Sequence, residues 1–222
     1  MYLSLLWLNP ASRQAMGDLA DVQALHVRLM SAFPEGAGSR AKLDLLHRVE
    51  RDRAGRPRVL VQSRLLPDWS RLPARYLVSP PTVKSIDKAF QAITRGMRLR
   101  FRLRANPTKR LLSADHRRGL PERVDRQGKE GKRVALLKDE DRLAWLQRKA
   151  REAGFRVVSA IVRAEPDERG QKAGGPRLVL SAATFDGVLE VEDADKLRTA
   201  LTTGIGPGKA YGFGLLSVAR CE

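Results

Sequence analysis

The residues best suited to chemistry stand near the end of the chain, in Gly204-Ile205-Gly206-Pro207-Gly208-Lys209-Ala210-Tyr211-Gly212-Phe213-Gly214. Five glycines in eleven residues let a backbone turn through conformations closed to other residues and approach another molecule closely. Lys209 lies at the centre, so Gly206, Gly208 and Lys209 together suit a phosphate backbone. The loop is no nucleotide fingerprint. Its Gly206-x-Gly208-x-x-x-Gly212 spacing differs from dinucleotide loops, and Ala210 follows Lys209 where a Walker loop has Ser or Thr. The order is also reversed: residues 194–203 read as a helix and 213–219 as a strand, whereas dinucleotide and P-loop sites lead from strand to helix. A glycine-rich turn that only lets that helix and strand pack is the competing reading.

The histidines His26, His47 and His116 are far apart, and none has a histidine or carboxylate at ligand spacing on a shared helix face, so no metal site and no cofactor is expected. The run Asp139-Glu140-Asp141 opens a helix, where the dipole already favours negative charge. There is no serine elbow, and Cys221, the sole cysteine, has no histidine near it in sequence. What remains is metal-free RNA cleavage. The 2′-hydroxyl beside a scissile phosphate is a built-in nucleophile, so a protein need only move protons and steady the charge on phosphorus. One histidine and a few cations suffice. DNA lacks that hydroxyl and would be bound without being cut.

The balance of charge agrees with a polyanionic partner: 42 Lys and Arg against 25 Asp and Glu give +17 over 222 residues. With 42% apolar residues the chain can bury a core. No run reaches transmembrane length and no basic amphipathic helix is evident, which excludes a membrane partner. One cysteine excludes an internal disulfide and fits a reducing cytoplasm.

The elements that must position these residues read as α+β. Residues 2–8 form an apolar first strand ended by Asn9-Pro10. A helix over 16–33 carries the stripe Leu19, Val22, Leu25, Leu29 and Phe33. His26 falls about 40° from Val22 on a wheel of about 100° per residue, inside that stripe, where a histidine satisfied in a core also belongs. Residues 42–50 and 58–63 make a hairpin, with His47 on its apolar face, and 66–81 cross the surface irregularly with Trp69 as a pin. A short helix over 85–94 precedes a strand over 97–105, with Leu99, Phe101 and Leu103 on one face and Arg98, Arg100, Arg102 and Arg104 on the other. Like charges in such a ladder repel unless something negative lies across them, and a bound polyanion explains the ladder better than solvent does. The order strand, helix, strand, strand, helix, strand is ferredoxin-like.

A second half repeats the plan with longer loops. Residues 114–132 read as a mobile loop, 133–137 as a strand, and 139–153 as a helix with Leu143, Leu146 and Ala150 inward and Arg142, Arg148, Lys149 and Arg151 around its sides. Strands over 155–162 and 178–185 flank a charged segment, 163–177, that is either a basic hairpin tip or a floppy loop. Asp186-Gly187 reads as a turn into 188–191.

Several runs resemble the CasE (Cse) family of CRISPR-associated endoribonucleases. They are Met1-Tyr2-Leu3-Ser4, Phe101-Arg102-Leu103-Arg104-Ala105-Asn106-Pro107-Thr108-Lys109, Lys132-Arg133-Val134-Ala135-Leu136, Ala144-Trp145-Leu146-Gln147-Arg148-Lys149, and the glycine loop with Gly212-x-Gly214-Leu215-Leu216-Ser217. The resemblance implies two tandem ferredoxin-like (RRM-like) domains. We place them at 1–105, with a catalytic helix, and at 106–222, with basic RNA-binding elements and the glycine-rich loop. It implies metal-independent cleavage of precursor CRISPR RNA at the base of a repeat stem-loop, and retention of the product's 3′ hairpin among the other subunits of a type I-E Cascade complex. It also implies that His26 is catalytic, against the core reading. Lys209, Gly206 and Gly208 would hold phosphate, and Arg104, Asn106, Lys109, Arg133, Arg148 and Lys149 would position RNA. Some relatives have a tyrosine three residues before the histidine, where this chain has Gln23. A non-catalytic basic RNA- or DNA-binding module of the same fold is the alternative.

Overall fold

A computed structural model describes residues 1–110, 133–171, 174–175 and 177–221. The expected loop over 114–132 and His116 lie outside the described residues. Two four-stranded antiparallel sheets organise the chain.

The first unit holds β1 (Tyr2–Trp7), α1 (Arg13–Ala20), α2 (Val22–Met30), β2 (Leu46–Arg51), β3 (Pro57–Ser63) and β4 (Thr82–Ser85), with strand order β2-β3-β1-β4. Leu6, Val59 and Val61 of the sheet, with Leu8 just beyond β1, pack against Leu25, Leu29 and Phe33, so the apolar stripe read from the sequence faces the core. The expected single helix is in fact two. Asp21 has extended dihedrals and ends α1, and its carboxylate accepts the amides of Gln23 and Ala24 to start α2. The strand expected from residue 42 begins at Leu46, because Asp44 takes a positive φ of 45° and turns the chain there. Trp69 does act as a pin, its indole N–H donating to Ser4 Oγ at 3.1 Å from a buried position.

After α3 (Asp87–Gln91), the second unit holds β5 (Arg98–Ala105), the strand pair β6 (Thr108–Arg110) and β7 (Arg133–Ala135), α4 (Asp139–Glu152), β8 (Phe155–Gln171), β9 (Arg177–Val191), α5 (Ala194–Thr203) and β10 (Leu216–Arg220). Its order is β10-β5-β9-β8. Each sheet therefore arranges its own first, second, third and fourth strands in the same order, and both units are ferredoxin-like. One assignment changes. The strand over 97–105 is not the fourth strand of the first unit: β5 pairs with β9 and β10 and is the first strand of the second. The division expected after residue 105 thus moves back, to between Ser85 and Arg98. Alternation shows that a segment is a strand with one apolar face, but not which sheet that face covers.

The ribbon β8–β9 also departs from expectation. Most of the segment over 163–177 is strand, paired out to Gln171 and Arg177. Asp186-Gly187 is no turn either, since β9 runs straight through it. A β-carbon on Gly187 would lie 2.0 Å from the Ser159 carbonyl oxygen, beside the register shift between Val157 and Ser159, so this glycine lets a bulge close up.

The second core gathers Leu99, Phe101 and Leu103 of β5, Trp145 and Leu146 of α4, and Leu197 and Leu201 of α5. Trp145, 2% exposed, stacks on Phe185 with centroids 6.1 Å apart. The units are tied to each other by buried polar groups. Arg48, paired with Glu50, donates to the carbonyl of Leu215 at 3.0 Å, and Gln62 Nε2 donates to that of Leu201 at 2.8 Å. Among the described residues no helix is long and apolar enough to cross a membrane.

Candidate nucleic-acid interface

Residues 204–214 lead from α5 to β10 and lie between the units. Gly206 has a positive φ of 82°, and a β-carbon there would come within 2.8 Å of the Trp145 ring. At Gly208, φ is 79° and the same addition would meet the Phe213 ring at 2.9 Å. Both glycines thus let the loop close over aromatic rings, so the packing role weighed against the phosphate-binding one is present in full. It does not exclude the other: the loop contains a 3-10 turn, Lys209–Tyr211, that packs on α2 and β2, and this turn brings Lys209 to the junction.

On one side of the loop is an open cavity of about 910 Å³, walled by β6, β7, α4 and α5. Lys109, Arg133, Arg148, Lys149, Gly206 and Lys209, which the sequence places far apart, all line it. Arg110 and Lys196 join them and were not singled out from the sequence. Arg110 adjoins a run that was; Lys196, on a helix with acidic neighbours, carries no such signal. Among the described residues Lys109, Arg133 and Arg148 form no ion pair. Burial pushes the Lys209 ammonium below its ordinary range, and Arg40 and then Lys149 push it the same way against the opposing Asp44. Lys209 therefore feels a cation of the cavity, Lys149, and one of the first unit, Arg40.

On the other side is a cleft of about 610 Å³, whose walls include Val22 and Leu25 of the α1–α2 segment, His47, Arg104, Glu165 and Tyr211. His26 is half-buried on α2, one turn beyond Val22. Its charge is felt by His47, which is fully enclosed and pushed down to about 3, first by burial and then by His26, Arg104 and Arg40. His47 is thus a neutral imidazole at ordinary pH, structural as its apolar neighbours in sequence suggested. A β-carbon on Gly212 would lie 3.4 Å from His47 Nε2 and 3.6 Å from Arg104 Nη1, so the glycine loop, β2 and β5 meet at this point.

Three of the expected RNA contacts stand outside the cavity. Gly208 packs on Phe213. Asn106 is buried, 6% exposed, and its Oδ1 finds no partner among the described residues. Arg104 is engaged within the fold. It is 6% exposed, donates to Glu165 at 2.6 Å, pairs with Glu168, and lies over the Phe213 ring at 4.8 Å, while its carbonyl accepts the Gly214 amide at 2.8 Å. The negative charge facing the arginine ladder is the protein's own. Arg98 pairs with Glu190 at 3.2 Å, and Arg102 with Asp186 at 2.6 Å. Each of those acids is on β9, too far along the chain for sequence spacing to reveal.

Residues 1–220 match a family model described as CRISPR associated protein. The CRISPR-associated endoribonuclease Cse3 of Thermus thermophilus is 39% identical over 234 residues, covering 99% of this chain and 100% of the relative. The CRISPR system Cascade subunit CasE of Escherichia coli is 34% identical over 203 residues, covering 90% of this chain and 92% of the relative. A solved structure of CRISPR endoribonuclease Cse3 bound to 19-nucleotide RNA superposes with a TM-score of 0.80 at 38% identity, covering 99% of this chain and 100% of that one.

Proposed function

This chain belongs to the CRISPR-associated protein family, and from that premise we propose that it is a metal-independent endoribonuclease that cleaves precursor CRISPR RNA at the repeat stem-loop and keeps the 3′ hairpin as a Cascade subunit in the cytoplasm. The relatives named as an endoribonuclease and a Cascade subunit, and the one solved with RNA, support the class of reaction and partner. The observation that carries the reading is the position of Lys209. Its turn packs on the helix of His26, and its ammonium senses Lys149 of the cation-lined cavity. A phosphate backbone lying along Lys109, Arg133, Arg148 and Lys149 would lead past Lys209 to His26.

The chemistry needs no group beyond these. The substrate's 2′-oxygen attacks the adjacent phosphorus, the bond to the 5′-oxygen breaks, and the products are a 2′,3′-cyclic phosphate and a 5′-hydroxyl. One proton leaves the nucleophile and one joins the departing oxygen, and in this reading His26 exchanges one of them. Lys209 and the loop amides steady the charge that gathers on the phosphoryl oxygens. His47 lacks the second, imidazolium proton near neutral pH and cannot serve as the acid. Gln23 can hydrogen-bond a phosphate oxygen but does not titrate. Arg104 acts within the fold, holding the ribbon and the loop together, not as a direct contact.

The test is single-turnover cleavage of the cognate repeat RNA in EDTA by the unaltered protein and by His26→Ala, with a second substrate that is 2′-deoxy at the scissile nucleotide. Loss of cleavage by about 10²-fold or more with either change, while binding persists, is the expected result. Tight binding with no cleavage by the unaltered protein would instead favour the binding module. Equal cleavage by His26→Ala would remove that residue from the mechanism.

A further inference from the structure

Beyond the register shift between Glu165 and Glu168, the β8–β9 ribbon leaves its own sheet and packs on α2 of the other unit. Gly170 is buried there between the exposed Arg169 and Gln171. A β-carbon at this position would lie 2.9 Å from Val22 Cγ2, 3.1 Å from Asp21 Oδ1 and 3.2 Å from the Gln23 nitrogen, so the close approach needs glycine. Beside it, the Gln171 amide donates to Asp21 Oδ2 at 3.3 Å. The other oxygen, Oδ1, accepts the amides of Gln23 at 2.7 Å and Ala24 at 3.1 Å. One carboxylate therefore closes the start of the His26 helix and holds the far end of a ribbon from the second unit.

The near end of the ribbon is fixed as well. Glu165 and Glu168 grip Arg104, whose carbonyl in turn holds Gly214 of the loop that carries Lys209. A continuous chain of contacts thus runs from Asp21, along the ribbon, to the glycine loop. The contact at Asp21 joins the first turn of α2 to that chain, and His26 stands one turn further on.

We propose that Asp21, with Gly170 and Gln171, is a positioning device that clamps the start of α2 to the second unit and so fixes His26 relative to Lys209. This rests on the assignment of His26 as the proton-transfer residue, and the clamp predicts an effect on rate and not on RNA affinity. It is tested on the full chain by single-turnover cleavage of the repeat hairpin at saturating RNA, with affinity measured separately on the RNA that is 2′-deoxy at the scissile nucleotide. The variants are Gly170→Val, Asp21→Asn, His26→Ala, the His26→Ala/Gly170→Val pair, and Gly17→Ala, where an added β-carbon meets nothing within 4 Å.

Gly170→Val is expected to slow cleavage by about 10²-fold, the loss that a displacement of about 1 Å can cause, with affinity within about threefold. Asp21→Asn keeps a good helix cap but has one oxygen for two sets of amides, and is expected to slow cleavage by about tenfold. Gly17→Ala should cut at the unaltered rate, and the pair no more slowly than His26→Ala alone, because the clamp acts through His26. The clamp is overturned if both variants cut normally while His26→Ala does not, or if rate and affinity fall together. Should Gly170→Val fail to fold, Asp21→Asn decides. Normal cleavage by His26→Ala would instead overturn the assignment on which the clamp rests.

Discussion

Arg102 and Arg104 on β5 and Arg133 and Arg148 around the cavity have the same chemistry and opposite surroundings. The first two are met by carboxylates of the second unit's own strands, Arg104 inside the fold and Arg102 at its edge. The other two are met, among the described residues, by none. In sequence both sets were candidates for a polyanion, the β5 pair because four arginines stood in register and the other two because their runs carry the family resemblance. The structure separates the two sets, since a charge already neutralised within the protein gives up an ion pair to take a phosphate, whereas an unpaired one gives up only water.

That contrast can be broken at several points. The largest effect is expected from Arg104→Ala, which leaves Glu165 and Glu168 without their partner and uncovers Phe213. It should lower unfolding stability by about 3 kcal/mol, read as a shift of the denaturant midpoint at constant slope. A result under about 0.5 kcal/mol, the range of ordinary surface changes, would return Arg104 to the pool of RNA contacts.

His47 sharpens the same comparison through pH. Its folded value of about 3 lies below its ordinary one of about 6.5, so between those limits the unfolded chain binds a proton that the folded chain refuses. Its contribution to stability is therefore intact above about pH 6.5 and falls by about 1.4 kcal/mol for each unit of acidification below that. Unfolding midpoints measured from about pH 7 to about pH 4.5 should descend more steeply for the unaltered protein than for His47→Gln; parallel curves would show that His47 is not held neutral.

The smallest changes belong to the cavity. Arg133→Ala and Arg148→Ala should each leave stability within about 0.5 kcal/mol, while the slope of log affinity against log salt for hairpin RNA falls by about 0.9 for each phosphate contact removed. An unchanged salt slope would place the RNA elsewhere.

Much of the framework could be read from residue order alone. The alternation of β5, the stripe of α2, the hairpin at residues 51–57 and the helix-to-strand order around the glycine loop depend on neighbours a few positions apart, and local periodicity records such neighbours well. Six of the nine residues expected to touch RNA do line one cavity, because their motifs sit at the ends of elements that the second sheet brings together. What was not legible involves partners far along the chain. Asp186-Gly187 has the composition of a turn, but pairing with Ala160 and Ile161 keeps it in the strand. Trp145, missed as a core residue of α4, is buried by Phe185 and the loop at Gly206.

Residue types and their spacing therefore determined the positive charge, the paired α+β units, the glycine-rich loop with Lys209 at its centre and the face of the helix on which His26 stands. Tertiary structure decided which sheet β5 joins, which arginines are neutralised, and that the ribbon at Gly170 meets Asp21 at the start of α2. The physical reason is range. Periodicity and dipeptide chemistry act over a few residues, whereas an ion pair such as Arg104 with Glu165, or the approach of Gly170 to Val22, exists only after distant strands have met.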